Sequence, residues 1–525
     1  MKRARSLYAL WIAAIFALCG LHFVHVLADF PNHSPWMDYA KYTDEGWYSS
    51  AAMRWILTGH WYLRGDFNPA VAVPVWPLLL AAVFRVTGVS LGAARLAALT
   101  IFGLNLLLSY CILRTRAARW VALLAVTVLA ANPFLYAFSR LAILEPLAVC
   151  LLLLSWLLAL EVPRASGWKR GLLLIANGLL LCLLVLTKTT GLCLVPSTLF
   201  LVAAARGFRR RAALPDLAIV MASATAPWCA WYFLLVGPHY RADYQYFFEV
   251  NRWPQPTTLS GHFAAYWYAL HGALWISPVL CVTAVALLAL ALIPQRAGDN
   301  AAFATPAAGP MRCHPLATAS LLAVAGTIFL IGIENHPQPR YYQMVIYPVA
   351  LLLALGTANL LDRARTIPLR LAGTAGLAVV VGVCVAGAVQ IVGYARRPQY
   401  TWLNAATGVA RYIDTHPAPN HLLLSISGDD IQLMTHLPSL CDDFGTWDLP
   451  YRVHVYQPSW FAAWNDLDPE TQADIETQYS LEPAASFPAF DDPDRNLLIL
   501  YRLHPLPPDR QQYSAQEEEL ENATK

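Results

Sequence analysis

The sequence contains little charge for its length. Only 13% of its 525 residues are Asp, Glu, Lys or Arg, whereas 57% are hydrophobic. The apolar residues form many runs of about 20, which is the length that spans the hydrocarbon core of a bilayer as a helix. A soluble domain does not need so many such runs. The composition therefore indicates a polytopic α-helical membrane protein, and a net charge of +3 gives no reason to expect a nucleic-acid partner.

The sequence also lacks a disulfide or metal framework. Its ten cysteines lie almost entirely inside apolar runs, and only Cys313 and Cys441 fall in clearly polar segments. No paired cysteine spacing is present, so we interpret cysteine here as a small core residue. We find no convincing ligand cluster for a metal and no internal repeat. No cofactor is certain, and a divalent metal is compatible with the sequence but not indicated by it.

Apolar runs alternate with short basic clusters along the chain. Short loops rich in Lys and Arg stay on the cytoplasmic side of a membrane. The clusters lie at 1–5, 114–119, 163–170, 206–211 and 362–370. The runs lie near 7–27, 71–87, 91–113, 120–137, 143–161, 170–187, 190–205, 214–236, 273–293, 316–333, 341–360 and 370–393.

The side on which the clusters fall decides the topology. If every run crosses, the later basic clusters fall outside. If the run at 71–87 does not cross, all five clusters fall inside, and the early Pro74 and Pro77 with the late Arg85 suit a juxtamembrane or re-entrant helix. We therefore predict about eleven crossings plus this helix, and twelve crossings is the alternative. The first run is expected to be an uncleaved anchor rather than a signal peptide.

The predicted organisation has three parts. Residues 1–398 form the transmembrane domain, with a large first external loop at 28–90. Residues 399–505 form a soluble extracytoplasmic α/β domain, because 421–427 and 496–503 alternate like short buried strands and 402–413 suits a helix. Residues 506–525 form a polar tail that we expect to be disordered.

With this topology, ionisable residues from separate turns collect on the outer face. Ionisable residues at membrane depth are costly, so they usually face a cavity and carry function. This pattern predicts a shared site at the outer leaflet. The residues that we assign to it are Asp44, Glu45, Trp47, Arg140, Glu145, Lys188, His336, Arg340, Tyr341 and Tyr342.

Each of these residues also has a simpler interpretation. The acidic pair at 44–45 could cap an interfacial helix, and Lys188 could extend its amine to the membrane surface. The sequence Arg-Tyr-Tyr at 340–342 could belong to an interfacial anchor belt. Arg140 and Glu145 could pair with each other and lock two helices. It is the combination that favours a site.

Several stretches together resemble the polytopic GT-C glycosyltransferases. The resemblance is to the family containing protein O-mannosyltransferases and lipid A aminoarabinose transferases, and it covers the whole chain in order. The first loop lacks the Lys-Pro-Pro or His-Pro-Pro stretch common in that family. The stretches that carry the resemblance are TDEGW at 43–47, the Pro-containing segment with its helix at 73–96, SRLAILEP at 139–146, LTKTTGL at 186–192 and PRYYQMVIYP at 339–348.

The resemblance implies transfer of a sugar from a polyprenyl-phosphate donor to an extracytoplasmic hydroxyl acceptor, which can be a lipid, a glycan or a protein. Such a reaction needs a carboxylate as general base. Asp44 is our first choice and Glu45 the second, in an inverting displacement without a covalent enzyme intermediate. Cations stabilise the lipid-phosphate leaving group; Arg340, Lys188 and Arg140 are the candidates, in that order.

The remaining predicted site residues have supporting roles. Tyr341 and Tyr342 are expected to bond the phosphate or pack on the lipid, and Glu145 to position a sugar hydroxyl or hold Arg140. Trp47 suits stacking on a sugar or lipid, and His336 alone is weak evidence.

Two other functions remain open. A lipid or solute transporter is disfavoured because repeat symmetry and a midplane site are absent from the sequence, and an inactive assembly subunit is disfavoured by the acidic pair and the Arg-Tyr motif. The short loops and the Ala- and Arg-rich composition favour a bacterial inner membrane, with the site on the periplasmic or extracellular side. Membrane lipids are expected contacts.

Overall fold

The computed structural model describes residues 2–29, 38–276, 282–283, 315–363, 367–490 and 494–511. It comprises a bundle of helices followed by a domain built on a β-sheet. This architecture confirms the predicted class, a polytopic helical membrane protein with a C-terminal α/β region. Most of the predicted tail at 506–525, and most of the predicted crossing at 273–293, lie outside the described residues.

The bundle consists of long helices joined by short turns. Among the described residues, eight helices are long and apolar enough to cross a membrane. In chain order the bundle helices are Lys2–Phe23, Asp44–Trp47, Ser50–Thr58, Val75–Thr87, Leu91–Arg114, Arg119–Ala130, Pro133–Phe138, Glu145–Glu161, Gly167–Thr187, Val195–Ala204, Arg210–Trp231, Gly237–His239, Arg241–Val250, Leu259–Ile276, Pro315–Glu334, Gln343–Arg363 and Ile367–Arg396. Shorter 3-10 turns cover Tyr39–Lys41, Pro69–Val71, Val162–Arg164, Thr189–Leu194 and Pro339–Tyr342, and a π-helical turn covers Tyr232–Val236.

Three apolar runs form helices too short to span a bilayer by themselves. Val75–Thr87 has 13 residues, or roughly 20 Å of helix against about 30 Å of hydrocarbon. The run at 120–137 is divided because Asn132 caps a new helix that begins at Pro133. The run at 190–205 begins with a 3-10 turn. The count of eleven crossings therefore stays a prediction.

Two of the predicted cytoplasmic clusters meet at one end of the bundle. Arg170 and Arg206 come from different clusters, and both form ion pairs with the carboxylate of Asp216. The other end of the same helices carries a second group of buried charges, which includes Glu145 and Lys188. The separation of the two groups by the length of the helices agrees with the charge pattern from which the topology was predicted.

The C-terminal domain is a five-stranded sheet with helices on both faces. The strands are β1 Leu423–Leu424, β2 Ser439–Leu440, β3 Trp460–Trp464, β4 Tyr479–Pro488 and β5 Leu497–Pro505, in the order β2-β1-β3-β5-β4. β1 is parallel to β2 and β3, whereas β5 is antiparallel to β3 and β4. The helices are Thr401–Thr415, Gly428–Thr435, Leu449–Tyr456 and Pro469–Glu476. The predicted helix at 402–413 and strand at 496–503 are confirmed, while 421–427 contains only a two-residue strand.

Both faces of this sheet are buried because neighbouring side chains point in opposite directions. Leu423 and Trp460 pack against the helix Thr401–Thr415. The residues that follow them in each strand, Leu424 and Phe461, pack into a separate cluster on the other face. A sheet covered on both sides is typical of an α/β domain.

The helix Gly428–Thr435 attaches the C-terminal domain to the bundle. Its Leu433 belongs to the same buried core as the transmembrane helices. At Gly46, a side-chain carbon would lie 2.1 Å from the backbone nitrogen of Asp430. Only glycine permits so close an approach of two backbones. The first external loop and the C-terminal domain are therefore in direct backbone contact.

Inside the bundle, Gly178 permits a similar approach between two long helices. A carbon added at Gly178 would lie 2.3 Å from the carbonyl oxygen of Val220 and 2.6 Å from Ser223 Cβ. Small residues at such crossings allow the van der Waals packing that holds membrane helices together. Gly171 lies on the same helix, Gly167–Thr187, and a carbon added there would meet nothing within 4 Å.

We expect Gly178→Ala to lower the free energy of unfolding by about 1–3 kcal/mol, because the added methyl overpacks a tight crossing. Gly171→Ala is the matched control and should leave stability unchanged or raise it by up to about 1 kcal/mol, since alanine favours helix. Thermal unfolding of the purified proteins in detergent measures both. Equal midpoints for the two variants would contradict the helix crossing.

Candidate active site

The acidic pair lies in a short buried helix of the first external loop. Asp44 and Glu45 open the helix Asp44–Trp47, and both side chains are buried. The preceding Thr43 makes no capping bond to this helix; its hydroxyl donates to the Tyr39 carbonyl oxygen and to Asp44 Oδ1. The simple capping interpretation of the pair therefore does not describe the structure.

Glu45 forms a buried bidentate ion pair with Arg95. Arg95 Nε donates to Glu45 Oε1 at 2.9 Å, and its Nη2 donates to Oε2 at 2.6 Å. The remaining nitrogen, Nη1, donates to the carbonyl oxygens of Val26 and Ala28. Glu45 Oε1 also accepts the backbone N–H of Ala142. These bonds join the end of the first crossing, the acidic helix, the helix Leu91–Arg114 and the following external turn.

Asp44 faces a different cation. Arg340 Nε lies 3.0 Å from Asp44 Oδ2. The Nη1 of Arg340 forms an ion pair with Asp38 Oδ1, and its backbone N–H donates to Asp38 Oδ2 at 2.9 Å. All three side chains are buried. Arg340 therefore bridges two carboxylates of the first external loop.

A second ion pair lies beside this bridge. Lys188 Nζ is 3.0 Å from Glu145 Oε1. The same ammonium lies 4.3 Å from the ring centre of Tyr341, and the guanidinium carbon of Arg340 lies 5.1 Å from it. The Tyr341 ring thus contacts both cations, an arrangement that its negative face stabilises.

The site has more carboxylates than cations. Among the described residues, the ion-pair partners of Asp38, Asp44 and Glu145 are Arg340 and Lys188. Burial is the main cause that raises the pKa of Asp44 to about 6; Arg340 opposes this rise, and Asp38 and Glu145 add to it. A carboxyl group with a pKa near neutrality can both take up and release a proton under physiological conditions.

Arg140 and Glu145 do not pair with each other. Arg140 donates to the carbonyl oxygens of Val24 and His25 and to the Tyr136 hydroxyl. Glu145 pairs with Lys188 instead. The interpretation of Arg140 and Glu145 as a helix-locking pair is wrong, because the Arg140 guanidinium donates to carbonyl oxygens that follow the first crossing.

Two other predicted residues lie at the edge of the charged group. His336 stacks on Trp253, with ring centres 4.0 Å apart, and meets Tyr341 edge-on. Burial, and after it the charges of Arg340 and Lys188, lower the pKa of His336 to about 4, so the ring is neutral. The hydroxyl of Tyr342 points away from the cations and donates to the Ala269 carbonyl oxygen at 2.8 Å.

Trp47 ends the acidic helix and contacts both the first loop and the C-terminal domain. Its ring packs edge-on against Phe67 and Phe444, with centres 5.2 Å from each. Among the described residues, its indole nitrogen has no hydrogen-bond partner. In this structure Trp47 is a packing residue at the boundary of the site.

Sequence reasoning missed three charged residues at this site. Asp38 precedes Asp44 in the same loop, and the count of carboxylates in that loop was the available signal. Arg95 appears only within a family-like segment, without a role. Asp430 accepts a hydrogen bond from the Gly46 backbone N–H, and nothing in the sequence connects residues so far apart.

No metal-binding constellation occurs in the part of the chain that the structure describes. Groups of three or more His, Cys, Asp or Glu side chains arranged to hold an ion are absent there. Each of the three carboxylates Asp38, Asp44 and Glu145 forms an ion pair with Arg340 or Lys188.

Part of the sequence and the overall fold are similar to those of known proteins. Residues 69–231 match the family described as dolichyl-phosphate-mannose-protein mannosyltransferase. No curated protein matches the chain in sequence. The structure is similar to that of ArnT from Cupriavidus metallidurans bound to undecaprenyl phosphate, with a TM-score of 0.59 and 15% identity over 95% of this chain and 98% of that one.

Two structures of the Archaeoglobus fulgidus oligosaccharyltransferase are also similar. One, tethered to an acceptor peptide, has a TM-score of 0.52 and 10% identity over 94% of this chain and 76% of that one. The other, AglB with an inhibitory peptide and a dolichol-phosphate, has a TM-score of 0.51 and 11% identity over 93% and 74%. The predicted resemblance to the GT-C glycosyltransferases is confirmed at the level of the fold.

We expect Arg95→Met to lower the free energy of unfolding by about 3–5 kcal/mol, because it leaves the Glu45 carboxylate buried without a cation. The double variant Arg95→Met with Glu45→Gln should recover part of the loss. Arg114→Met is the matched control, since Arg114 is exposed near the end of the same helix. Thermal unfolding in detergent measures all three; an Arg95→Met midpoint equal to that of the control would refute the buried ion pair.

Proposed function

We propose that this integral membrane protein is a glycosyltransferase that moves a sugar from a polyprenyl-phosphate donor to the hydroxyl of an extracytoplasmic acceptor. One observation carries the proposal. A carboxyl group with a near-neutral pKa lies beside an arginine, with a lysine close by, and the chain has the fold of enzymes whose structures contain undecaprenyl phosphate or dolichol-phosphate. A base and cations for a phosphate leaving group are the two requirements of this reaction.

Asp44 is the proposed general base. It takes the proton of the acceptor hydroxyl as that oxygen attacks the anomeric carbon. The bond from the anomeric carbon to the phosphate oxygen breaks, and the phosphate keeps the electron pair. Attack from the face opposite the phosphate inverts the anomeric centre. Glu45 was the second choice, but its oxygens are occupied by Arg95 and the Ala142 N–H, so we assign it to holding the loop.

Arg340 and Lys188 are the proposed ligands of the donor phosphate. Each now faces carboxylates, Arg340 those of Asp38 and Asp44, and Lys188 that of Glu145. A phosphate that reaches Arg340 competes with Asp44 for the guanidinium. This exchange frees the Asp44 carboxyl group for the acceptor at the same time as it places the leaving group. Arg140 is less available, because its Nη2 donates to the carbonyl oxygens of Val24 and His25 and its Nη1 donates to the Tyr136 hydroxyl.

The aromatic residues beside the two cations suit the lipid part of the donor. Tyr341 covers both cations and suits contact with the first part of the polyprenyl chain, while His336 with Trp253 forms an aromatic wall beside it. The basic clusters at the opposite end of the bundle support a site that faces the periplasm or the extracellular space. The acceptor class, whether lipid, glycan or protein, is one that offers a hydroxyl group.

We expect Asp44→Asn to reduce sugar transfer by a factor of about 10²–10⁴, the usual contribution of a general base. The measurement is transfer of radiolabelled sugar from polyprenyl-phosphate carriers in membranes with matched expression. Glu470→Gln, which changes an exposed carboxylate of the C-terminal domain, is the control and should retain full activity. Wild-type transfer that survives Asp44→Asn would assign the base elsewhere.

The pH dependence gives an independent check on Asp44. A base acts only when deprotonated, so kcat/KM should rise with pH, with a midpoint near the Asp44 pKa of about 6. Below that midpoint the rate should fall tenfold for each pH unit. The donor phosphodiester remains ionised throughout this range and adds no transition of its own. A flat profile between pH 5 and 8 would contradict the assignment.

A further inference from the structure

We propose that Asp430 of the C-terminal domain is a positioning residue for the acidic helix Asp44–Trp47, so that this domain completes the active site. The inference rests on the proposed function and adds a residue to it that lies in a different domain. Asp430 itself does not touch the reacting atoms. It acts on Asp44 through the backbone of Gly46.

The contact between the two segments is a backbone contact reinforced by a side chain. The Gly46 N–H donates to Asp430 Oδ1. A carbon added at Gly46 would lie 2.1 Å from the Asp430 nitrogen and 2.3 Å from the carbonyl carbon of Asp429. The acidic helix thus lies directly on the first turn of the helix Gly428–Thr435.

The acidic helix needs such support because it is very short. A helix of four residues has almost no stability by itself, since the first turn fixes several dihedral angles for a single hydrogen bond. Arg340 and Arg95 hold the side chains of Asp44 and Glu45. Asp430 holds the backbone of the helix at Gly46, two residues from the proposed base.

The Asp430 carboxyl group acts here as a hydrogen-bond acceptor rather than as a charge. It is 1% exposed, and its second oxygen, Oδ2, has no hydrogen-bond partner among the described residues. Arg95, whose charge acts on Asp430, is occupied by the bidentate bond to Glu45. An asparagine at this position would keep the accepting oxygen, and an alanine would remove it.

Other contacts keep the domain attached when this bond is removed. Arg54 of the first loop donates to Asp66 at 2.7 Å and lies 3.4 Å from Asp429. Asp66 also accepts the Cys441 N–H and faces Arg452. Loss of the Asp430 carboxyl group is therefore expected to loosen the acidic helix without undocking the domain.

The experiment compares three full-length variants in the sugar-transfer assay, with the donor concentration varied. Asp430→Ala should lower kcat about tenfold or more, with the KM for the donor within twofold of wild type, because the donor phosphate is held by other residues. Asp430→Asn should restore kcat to within twofold to threefold of wild type. Asp430→Glu keeps the acid but adds a methylene to a buried contact, so its kcat should also fall.

A second measurement follows the acidic helix directly. Hydrogen exchange of the amides at 44–49 should become at least tenfold faster in Asp430→Ala than in wild type, while amides in β3 and β5 remain unchanged. If Asp430→Ala does not accumulate, Asp430→Glu decides by the same two measurements. Wild-type kcat in the variant that accumulates would overturn the proposal, and so would equal losses in Asp430→Asn and Asp430→Ala.

The two proposals fail differently. If wild type transfers no sugar from any carrier, the proposed function fails, and unchanged exchange at 44–49 in the variants would then also overturn the positioning role. If wild type transfers sugar and Asp44→Asn does not, the enzyme class holds. Full activity of Asp430→Ala in that case would overturn only the role of Asp430.

Discussion

The buried ion pair between Arg95 and Glu45 holds together the parts from which the site is built. Two charges inside a protein are tolerable only when their geometry and remaining hydrogen bonds are satisfied. Here every nitrogen of the Arg95 guanidinium has an acceptor. Glu45 accepts from two of them, and two carbonyl oxygens after the first crossing accept from the third. Glu45 in turn fixes the N–H of Ala142. Because these bonds fix Glu45, they also fix the position of Asp44, the residue before it.

Asp44 and Glu45 are adjacent carboxylates, but their surroundings in the structure differ. Glu45 has a cation of its own, whereas Asp44 shares Arg340 with Asp38. Burial raises the pKa of Asp44 to about 6 and Arg340 only partly opposes this rise, and such a pKa suits proton transfer. Adjacent residues of a helix point in different directions, about 100° apart, so one acid can be structural and the other chemically available.

The class of the protein and the region of the site could be predicted from the sequence, because bilayer thickness and the sorting of basic residues leave strong local signals. The identity of the partners could not. Arg140 and Glu145 belong to one turn and could have paired with each other, yet Arg140 bonds the His25 carbonyl oxygen and Glu145 pairs with Lys188. Asp38 was overlooked for a similar reason. Its partner Arg340 lies 302 positions away in the sequence, and the residues around Asp38 give no indication of that contact.

The contact of Gly46 with Asp430 has a consequence for the biogenesis of the protein. A chain that is inserted helix by helix presents its acidic loop early, long before residue 430 has been made. The contacts that hold this loop come from segments near 95, 142, 340 and 430, so the closure of this region waits for the last domain to fold. During synthesis the nascent protein thus carries its acidic residues outside the membrane without their assembled surroundings, and a truncated product retains the transmembrane bundle but not the finished site.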